Sequence, residues 1–247
     1  MPPQLTKLPW RQPRRIPAGL RIYAVGDVHG NIDALRSVFS RIDNDLASAD
    51  PNTRAVQIFL GDLVDRGPAS REVLDQLINR SFAHEMLMLK GNHEAMLLEF
   101  LDNPSLLSHW RQYGGLQTLI SYGLKPSINP TPDEQRALAR ELASRISRLQ
   151  RNLLTTMPTS YTCGDFFFVH AGVRPGVPLK AQKEEDLLWI REDFLLHERD
   201  FEKIIVHGHT PVAEPQVHAN RINLDTGAYA TGQLTCLVID GQTLAFI

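Results

Sequence analysis

The sequence predicts an α/β fold in which short strands alternate with helices around a parallel sheet. Two observations lead to this prediction. Three apolar, strand-like runs in the N-terminal part of the chain are separated by stretches in which apolar residues recur at helical spacing. After residue 157 the pattern returns to short strand-like runs joined by turns. Strand, loop and helix repeating in this order favour βαβ units, because parallel strands need crossover connections.

The elements of the N-terminal half follow from local signals. Asn31 has the residue type of a helix N-cap, and apolar residues recur after it at helical spacing as far as Ile42. Runs rich in β-branched and other apolar residues that stop at a glycine-containing cluster are typical of strands. The predicted elements are a strand at 21–25, a helix that begins after Asn31, a strand at 55–60, a helix at 70–78 and a strand at 85–89.

The middle of the chain lacks strand-like runs. We predict a mostly helical insertion at about 95–157, with its longest helix near 132–154. The remaining division is a flexible N-terminal tail over 1–19, which is rich in Pro and Arg, and a single domain over 20–247. The C-terminal strands are predicted at 161–163, 166–169, 204–206, 221–224, 234–239 and 243–247.

Composition excludes several classes of protein. The 247-residue chain has 26 Lys and Arg against 28 Asp and Glu, a net charge of −2, which argues against a dedicated nucleic-acid-binding surface. Its 43% of hydrophobic and 22% of charged residues exclude a mainly disordered chain. No apolar stretch is long enough to span a membrane, and the N-terminus lacks the apolar core of a secretion signal. We therefore expect a cytoplasmic protein that binds neither membrane nor nucleic acid, with its oligomeric state left open.

Polar clusters rich in Asp, His and Asn follow the strand-like runs. Ligands of α/β sheets bind beyond the carboxyl ends of the strands, so the first three clusters are expected to meet at one sheet edge. Mixed oxygen and nitrogen donors suit Mn²⁺, Fe or Zn²⁺, and the lack of nearby Cys argues against a thiolate zinc site. The clusters are Gly26-Asp27-Val28-His29-Gly30, Gly61-Asp62-Leu63-Val64-Asp65-Arg66-Gly67, Gly91-Asn92-His93-Glu94, His170-Ala171-Gly172 and His207-Gly208-His209-Thr210.

In this order the clusters resemble the motifs of the calcineurin-like metallophosphoesterases, over about residues 22–227. The resemblance is greatest to the phosphoprotein phosphatase branch, which includes bacterial and phage-type serine/threonine phosphatases and is related to the symmetrical diadenosine tetraphosphatases. It implies a four-layer sandwich of two mixed β-sheets flanked by helices. It also implies two divalent metal ions, with Mn²⁺ the first choice and Fe or Zn²⁺ the alternatives.

The resemblance implies a role for each matching residue. His93 corresponds to a general acid, and Asp65 to the carboxylate that orients it. Arg66 corresponds to an arginine that binds substrate phosphate, and Arg191 is the candidate for a second one. His207 has no role that the resemblance assigns. The implied metal ligands are Asp27, His29, Asp62, Asn92, His170 and His209, with Asp62 bridging the two ions.

The predicted function is hydrolysis of phosphomonoesters by a hydroxide that bridges the two metals. Our first choice is a serine/threonine phosphoprotein phosphatase that acts on phosphoproteins or phosphopeptides. Hydrolysis of diadenosine tetraphosphate or a related nucleotide stays open, because both reactions use the same metal centre and the difference must lie in the insertion. A metal-free scaffold is a third hypothesis, and the complete set of ligand residues argues against it.

Overall fold

Two five-stranded mixed β-sheets form the centre of the molecule. The computed structural model describes residues 9–10 and 12–247, and residues 1–8 and 11 lie outside the described part. The strands are β1 (Leu20–Val25), β2 (Arg54–Phe59), β3 (Glu85–Met88), β4 (Ser160–Cys163), β5 (Phe166–Val169), β6 (Ile204–His207), β7 (Gln216–Val217), β8 (Arg221–Asn223), β9 (Cys236–Asp240) and β10 (Thr243–Phe246).

Both sheets combine three parallel strands with two strands in antiparallel pairings. The first has the order β10-β9-β1-β2-β3, in which β1, β2 and β3 are parallel, β9 is antiparallel to β1 and β10 is antiparallel to β9. The second has the order β4-β5-β6-β8-β7, in which β5, β6 and β8 are parallel. The three predicted βαβ strands of the N-terminal half are thus neighbours in one sheet.

Helices connect and cover the strands. The α-helices are α1 (Ile32–Leu46), α2 (Ser70–Ser81), α3 (Asn92–Asp102), α4 (Leu107–Gln112), α5 (Gly115–Ser121), α6 (Pro132–Arg145), α7 (Arg148–Thr156), α8 (Glu184–Trp189), α9 (Glu192–Leu195) and α10 (Ala228–Thr231), and short 3₁₀ turns lie at Pro104–Leu106 and Leu179–Ala181.

The alternation of side chains along β1 divides the core into layers. Ile22 and Ala24 belong to the buried cluster that joins the two sheets, whereas Tyr23 and Val25 pack on the opposite face with α1, α2 and the helices of the insertion. On the second sheet, Phe167 faces away from the first sheet and packs under α8 and α9. The order helices, sheet, sheet, helices confirms the predicted four-layer sandwich.

One helix differs from the sequence expectation. The stretch 132–154, predicted as the longest helix, is divided into α6 and α7, and α1 is longer than either. Ile146 leaves the helical region with ψ 118°, and the Ser147 side chain accepts a hydrogen bond from the Gln150 amide as the N-cap of α7. A serine followed three residues later by glutamine is a helix-start signal, and it ends the preceding helix here.

The residues before β1 contact both sheets. Ile16 is buried, and its amide donates to the Gly241 carbonyl at 3.1 Å. The Trp10 ring packs edge-on against Phe166, with the ring centroids 6.1 Å apart. Packed structure therefore begins upstream of Leu20, within the predicted tail, whose residues 1–8 and 11 lie outside the described part. In the described range, we find no helix with the length and apolar character that a membrane span requires.

Candidate metal centre and active site

The backbone is in an unusual conformation where the predicted site residues lie. In the described part of the chain, the non-glycine residues with positive φ are His29, Asp62, Asp65, Arg66 and His209, at φ 47° to 69°. All five are among the predicted site residues. Holding a non-glycine residue at positive φ costs about 1–3 kcal/mol. Such a conformation persists only where surrounding contacts fix it, which is typical of functional sites.

Asp62 lies at the centre of the site, between two groups of histidines. Its Oδ1 is 3.3 Å from His170 Nε2, and its Oδ2 is 3.5 Å from His29 Nε2 and 3.6 Å from His93 Nε2. Asp62 is 2% exposed, so both carboxylate oxygens are directed into the protein rather than into bulk water. The two oxygens of one carboxylate thus face two separate candidate ligand groups.

The first group combines residues that follow β1 and β2. His29 Nδ1 lies 3.0 Å from the Val64 carbonyl, to which it donates as the Nδ1–H tautomer, and this leaves the Nε2 lone pair directed at Asp62. Asp27 Oδ2 accepts a hydrogen bond from the His209 amide at 3.0 Å. Its Oδ1 is buried and has no hydrogen-bond partner among the described residues.

The second group joins the first sheet to the second. His170 Nδ1 donates to the Leu60 carbonyl at 2.9 Å, which leaves Nε2 as an acceptor. This Nε2 lies 2.8 Å from Asn92 Oδ1 and 3.1 Å from His209 Nδ1, and the latter lies 2.9 Å from the same amide oxygen. Three acceptor atoms so close together repel one another unless a proton or a cation lies between them.

Burial keeps two of the histidines neutral and sets the buried carboxylates of the site against one another. Burial lowers the pKa of His29 to about 3 and the pKa of His209 to about 2, so both imidazoles are neutral. Burial alone would raise the pKa of Asp62, but the imidazoles of His170 and His93 outweigh it and hold the pKa well below its usual value. Burial raises the pKa of Asp27 well above its usual value, and the nearby Asp225 and Asp62 carboxylates raise it further. A cation among these groups would offset that repulsion.

These observations test whether the residues fit divalent metals, and they do. The donor set is carboxylate, amide and imidazole, which suits Mn²⁺, Fe or Zn²⁺. Asp62 joins two buried groups of possible ligands, His29–Asp62–His93 and Asp62–His170–His209. The buried Asp27 Oδ1, which lacks a hydrogen-bond partner among the described residues, provides a further ligand atom. The two groups include His93, which was not predicted as a ligand, and they omit the predicted ligands Asp27 and Asn92.

His93 has a second environment that distinguishes it from the other histidines. Its Nδ1 lies 2.8 Å from Asp65 Oδ2, and the Trp110 indole donates to the same oxygen at 2.7 Å. The other oxygen of Asp65 accepts a hydrogen bond from Thr118 Oγ1 at 2.5 Å. Burial lowers the pKa of His93, but the carboxylates of Asp62 and Asp65 outweigh it and the net shift is upward. A cationic imidazole held by a fixed carboxylate can donate a proton from Nε2.

The two predicted phosphate-binding arginines lie at the edge of the site. The Arg66 guanidinium lies over the ring of Tyr229, 4.7 Å from its centroid. Arg191 is exposed directly before α9, and its charge contributes to the lowered pKa of His209. The neighbouring Trp189 ring packs edge-on at 6.3 Å from the His209 ring.

Sequence reasoning missed the residues that support this site. Glu94 is fully buried and accepts hydrogen bonds from the backbone amides of Asp62, Leu63, Val64 and Gly91. Its position in the Gly-Asn-His-Glu cluster was a signal, because a glutamate three residues after a helix N-cap commonly accepts from backbone amides. Trp110 and Thr118, which hold Asp65, come from the insertion. No local pattern connects them to a residue so distant in sequence.

His207 is close to the site but is directed away from it. It is fully buried, and its ring packs edge-on against Phe194 at 4.9 Å, in the layer between β6 and α9. Burial lowers the pKa of His207 to about 3. The structure therefore places it in the core of the second sheet.

Known proteins with similar sequences are phosphoesterases, as the proposed metal ligands suggest. Residues 20–234 match the calcineurin-like phosphoesterase family. A curated relative from Anoxybacillus flavithermus, named bis(5′-nucleosyl)-tetraphosphatase PrpE [asymmetrical], is 26% identical over 232 residues, which cover 86% of this chain and 88% of the relative.

Solved structures share the fold at lower identity. One, provisionally named as a diadenosine tetraphosphatase, has a TM-score of 0.59 at 20% identity and covers 92% of each chain. A serine/threonine phosphatase from Saccharomyces cerevisiae has a TM-score of 0.53 at 14% identity, with 96% of this chain and 84% of that chain covered. At these identities the structures support the fold and do not select a substrate.

Proposed function

The chain belongs to the calcineurin-like phosphoesterase family, and on this premise we propose that it hydrolyses bis(5′-nucleosyl) tetraphosphates such as diadenosine tetraphosphate. The observation that carries the proposal is the similarity to a curated nucleotide hydrolase along most of both chains. Our first choice from the sequence was a phosphoprotein phosphatase. The comparisons favour the nucleotide alternative, and they favour the asymmetrical reaction over the symmetrical one that the sequence suggested.

The metal centre follows from the geometry above. We propose that Asp27, His29 and Asp62 hold one divalent ion and that Asp62, Asn92, His170 and His209 hold the other. Divalent cations held there, with Mn²⁺ our first choice, would act as Lewis acids on phosphoryl oxygens and make water a nucleophile at neutral pH.

The chain's own residues position the substrate and move the proton. In the hydrolysis, water oxygen forms a bond to one phosphorus and the bond from that phosphorus to the bridging oxygen breaks. His93 donates a proton from Nε2 to the departing phosphate oxygen, while Asp65 fixes the imidazole through Nδ1. Arg66 and Arg191 bind the non-bridging oxygens, because planar guanidinium groups pair well with phosphate.

A paired assay tests the proposal. One preparation, supplied with Mn²⁺, is assayed on diadenosine tetraphosphate and on a set of phosphoserine and phosphothreonine peptides. We expect kcat/KM for the dinucleotide to exceed that for the best peptide by about 100-fold or more. Chromatography of the products gives the position of cleavage: ATP with AMP for the asymmetrical reaction, and ADP alone for the symmetrical one. A preference for peptides would contradict the proposal and restore the phosphoprotein phosphatase hypothesis.

A further inference from the structure

A cavity of about 640 Å³ opens beside the candidate metal centre. One wall is the segment 111–117, which joins α4 to α5 in the insertion, and the other side is formed by Arg66 and Tyr229. Cavities that bind small molecules typically have volumes of about 300–1,000 Å³, so this one is of a suitable size for a nucleoside.

Two side chains that line the cavity contact histidines of the candidate site. The ring of Tyr229 meets the His29 ring edge-on, with centroids 5.4 Å apart and an interplanar angle of 87°. On the other wall, the Tyr113 ring lies 6.2 Å from the His93 ring. A ligand with one phosphate at the metal centre would therefore be next to this cavity.

The lining has the chemistry that a nucleotide needs. Arg66 and Arg111 supply positive charge, and no acidic side chain of the described part of the chain lines the cavity. Gln112 and Gln117 supply amides, which can both donate to and accept from the edge of a base. Tyr229 is 40% exposed, and the Arg66 guanidinium lies over one face of its ring, 4.7 Å from the centroid, so the two groups form a cationic and aromatic stack. Aromatic rings and arginine planes are the groups on which bases stack.

We propose that this cavity binds a nucleoside of the substrate, with Tyr229 as the residue on which the base stacks. The inference rests on the proposed function, because it supplies the nucleoside-binding part of the same site. Its consequence is that recognition of the nucleoside depends on α10 and on the insertion, whereas phosphate hydrolysis depends on the loops that follow the strands.

Competition with two matched inhibitors tests the subsite without using the dinucleotide. Hydrolysis of nitrophenyl phosphate is inhibited either by α,β-methylene-ADP or by methylenediphosphonate, which share the same P–C–P group and differ in the nucleoside. The ratio of the two inhibition constants measures what the nucleoside contributes. Taking the ratio within each variant cancels any change at the metal centre.

We expect the parent enzyme to bind the nucleotide analogue more tightly than the diphosphonate. Tyr229→Ala should reduce this preference by about 5- to 150-fold, the range found for removing one aromatic ring from a stacked base. Tyr229→Phe keeps the ring and should retain the preference. Phe82→Ala is the matched control, because Phe82 is 74% exposed at the end of α2 and does not line the cavity. It should leave both constants unchanged.

The outcomes separate this inference from the proposed function. An unchanged preference in Tyr229→Ala, or no preference in the parent enzyme, would overturn the subsite even if diadenosine tetraphosphate is hydrolysed well. A lost preference in Tyr229→Ala, in an enzyme that prefers phosphopeptides as substrates, would support the subsite while contradicting the proposed function.

Discussion

Thr118→Val tests the hydrogen bonds that connect the insertion to the proposed proton donor. Thr118 is fully buried, and its hydroxyl donates to Asp65 Oδ1 at 2.5 Å and accepts from the Asp65 amide at 3.0 Å. Valine has nearly the same shape but no hydroxyl, so the substitution removes polar contacts without opening a cavity. The Asp65 amide keeps a second acceptor, Ser70 Oγ, at 3.0 Å.

The expected loss of stability follows from the hydrogen bond that Thr118 donates to the Asp65 carboxylate. A hydrogen bond to a charged acceptor contributes about 1.5–3 kcal/mol, and here the carboxylate oxygen is left buried. For a chain of this size, each kcal/mol shifts the melting temperature by about 2–4 °C, so we expect a decrease of about 3–12 °C. Because Asp65 orients His93, we also expect kcat to fall by about 10- to 100-fold, the usual cost of losing an outer hydrogen-bond partner.

The assay combines thermal unfolding, metal analysis and turnover. Thr155→Val in α7 is the matched control, since Thr155 is exposed and bonds only to carbonyls of its own helix. It should stay within about 0.5 kcal/mol of the parent protein. Metal content should be unchanged in Thr118→Val, because no proposed ligand is altered. A melting temperature and kcat that both match the Thr155→Val control would refute the reasoning that Thr118 holds Asp65 and, through it, His93.

Three further substitutions test the proposed centre. Asp62→Asn should reduce metal stoichiometry and lower turnover by several orders of magnitude, because a neutral amide cannot offset two adjacent cations; elemental analysis that finds two ions per chain with near-normal turnover would remove Asp62 from the centre. His93→Asn should keep its metal and lose about 10²–10⁴-fold in turnover of an alkyl phosphate, whose alkoxide leaving group must be protonated, but less on nitrophenyl phosphate, whose leaving group needs little protonation; an equal loss on both substrates would argue against a proton donor. Gly208→Ala should displace Asp27, because the added Cβ would collide with Asp27 Oδ1, and metal titration should then show weakened binding; unchanged affinity would argue against Asp27 as a ligand.

The sequence predicted the parallel part of the first sheet and the places where site residues gather. Both follow from local rules, because an apolar run that stops at Gly-Asp or Gly-Asn specifies the end of a strand and the start of a polar loop. The approach of His29 to Asp62 follows from strand ends that share one edge of the first sheet, whereas the approach of His170, which follows a strand of the second sheet, was implied by the family resemblance alone.

What the sequence did not predict depends on contacts between distant segments. Trp110 and Thr118 approach Asp65 only because the insertion folds back onto α2 and the outer face of the first sheet. The predicted 132–154 helix is interrupted at Ser147 by a local helix-start signal, Ser147 followed by Gln150. We overlooked this signal because the helical spacing of apolar residues continues through it. The burial of Ile16 could not be predicted, because a single apolar residue in a Pro- and Arg-rich stretch shows no strand or helix periodicity.

The strand order has a consequence for how the chain can fold as it is synthesised. β1 lies between β2 and β9, so one edge of the first strand made stays unpaired until residues 236–240 are available. The second sheet, by contrast, is contained within residues 160–223. Exposed strand edges pair readily with other chains, so nascent and truncated forms are vulnerable to aggregation until the β9–β10 hairpin closes the sheet. The β9–β10 hairpin therefore completes the sheet that β1 and β2 begin.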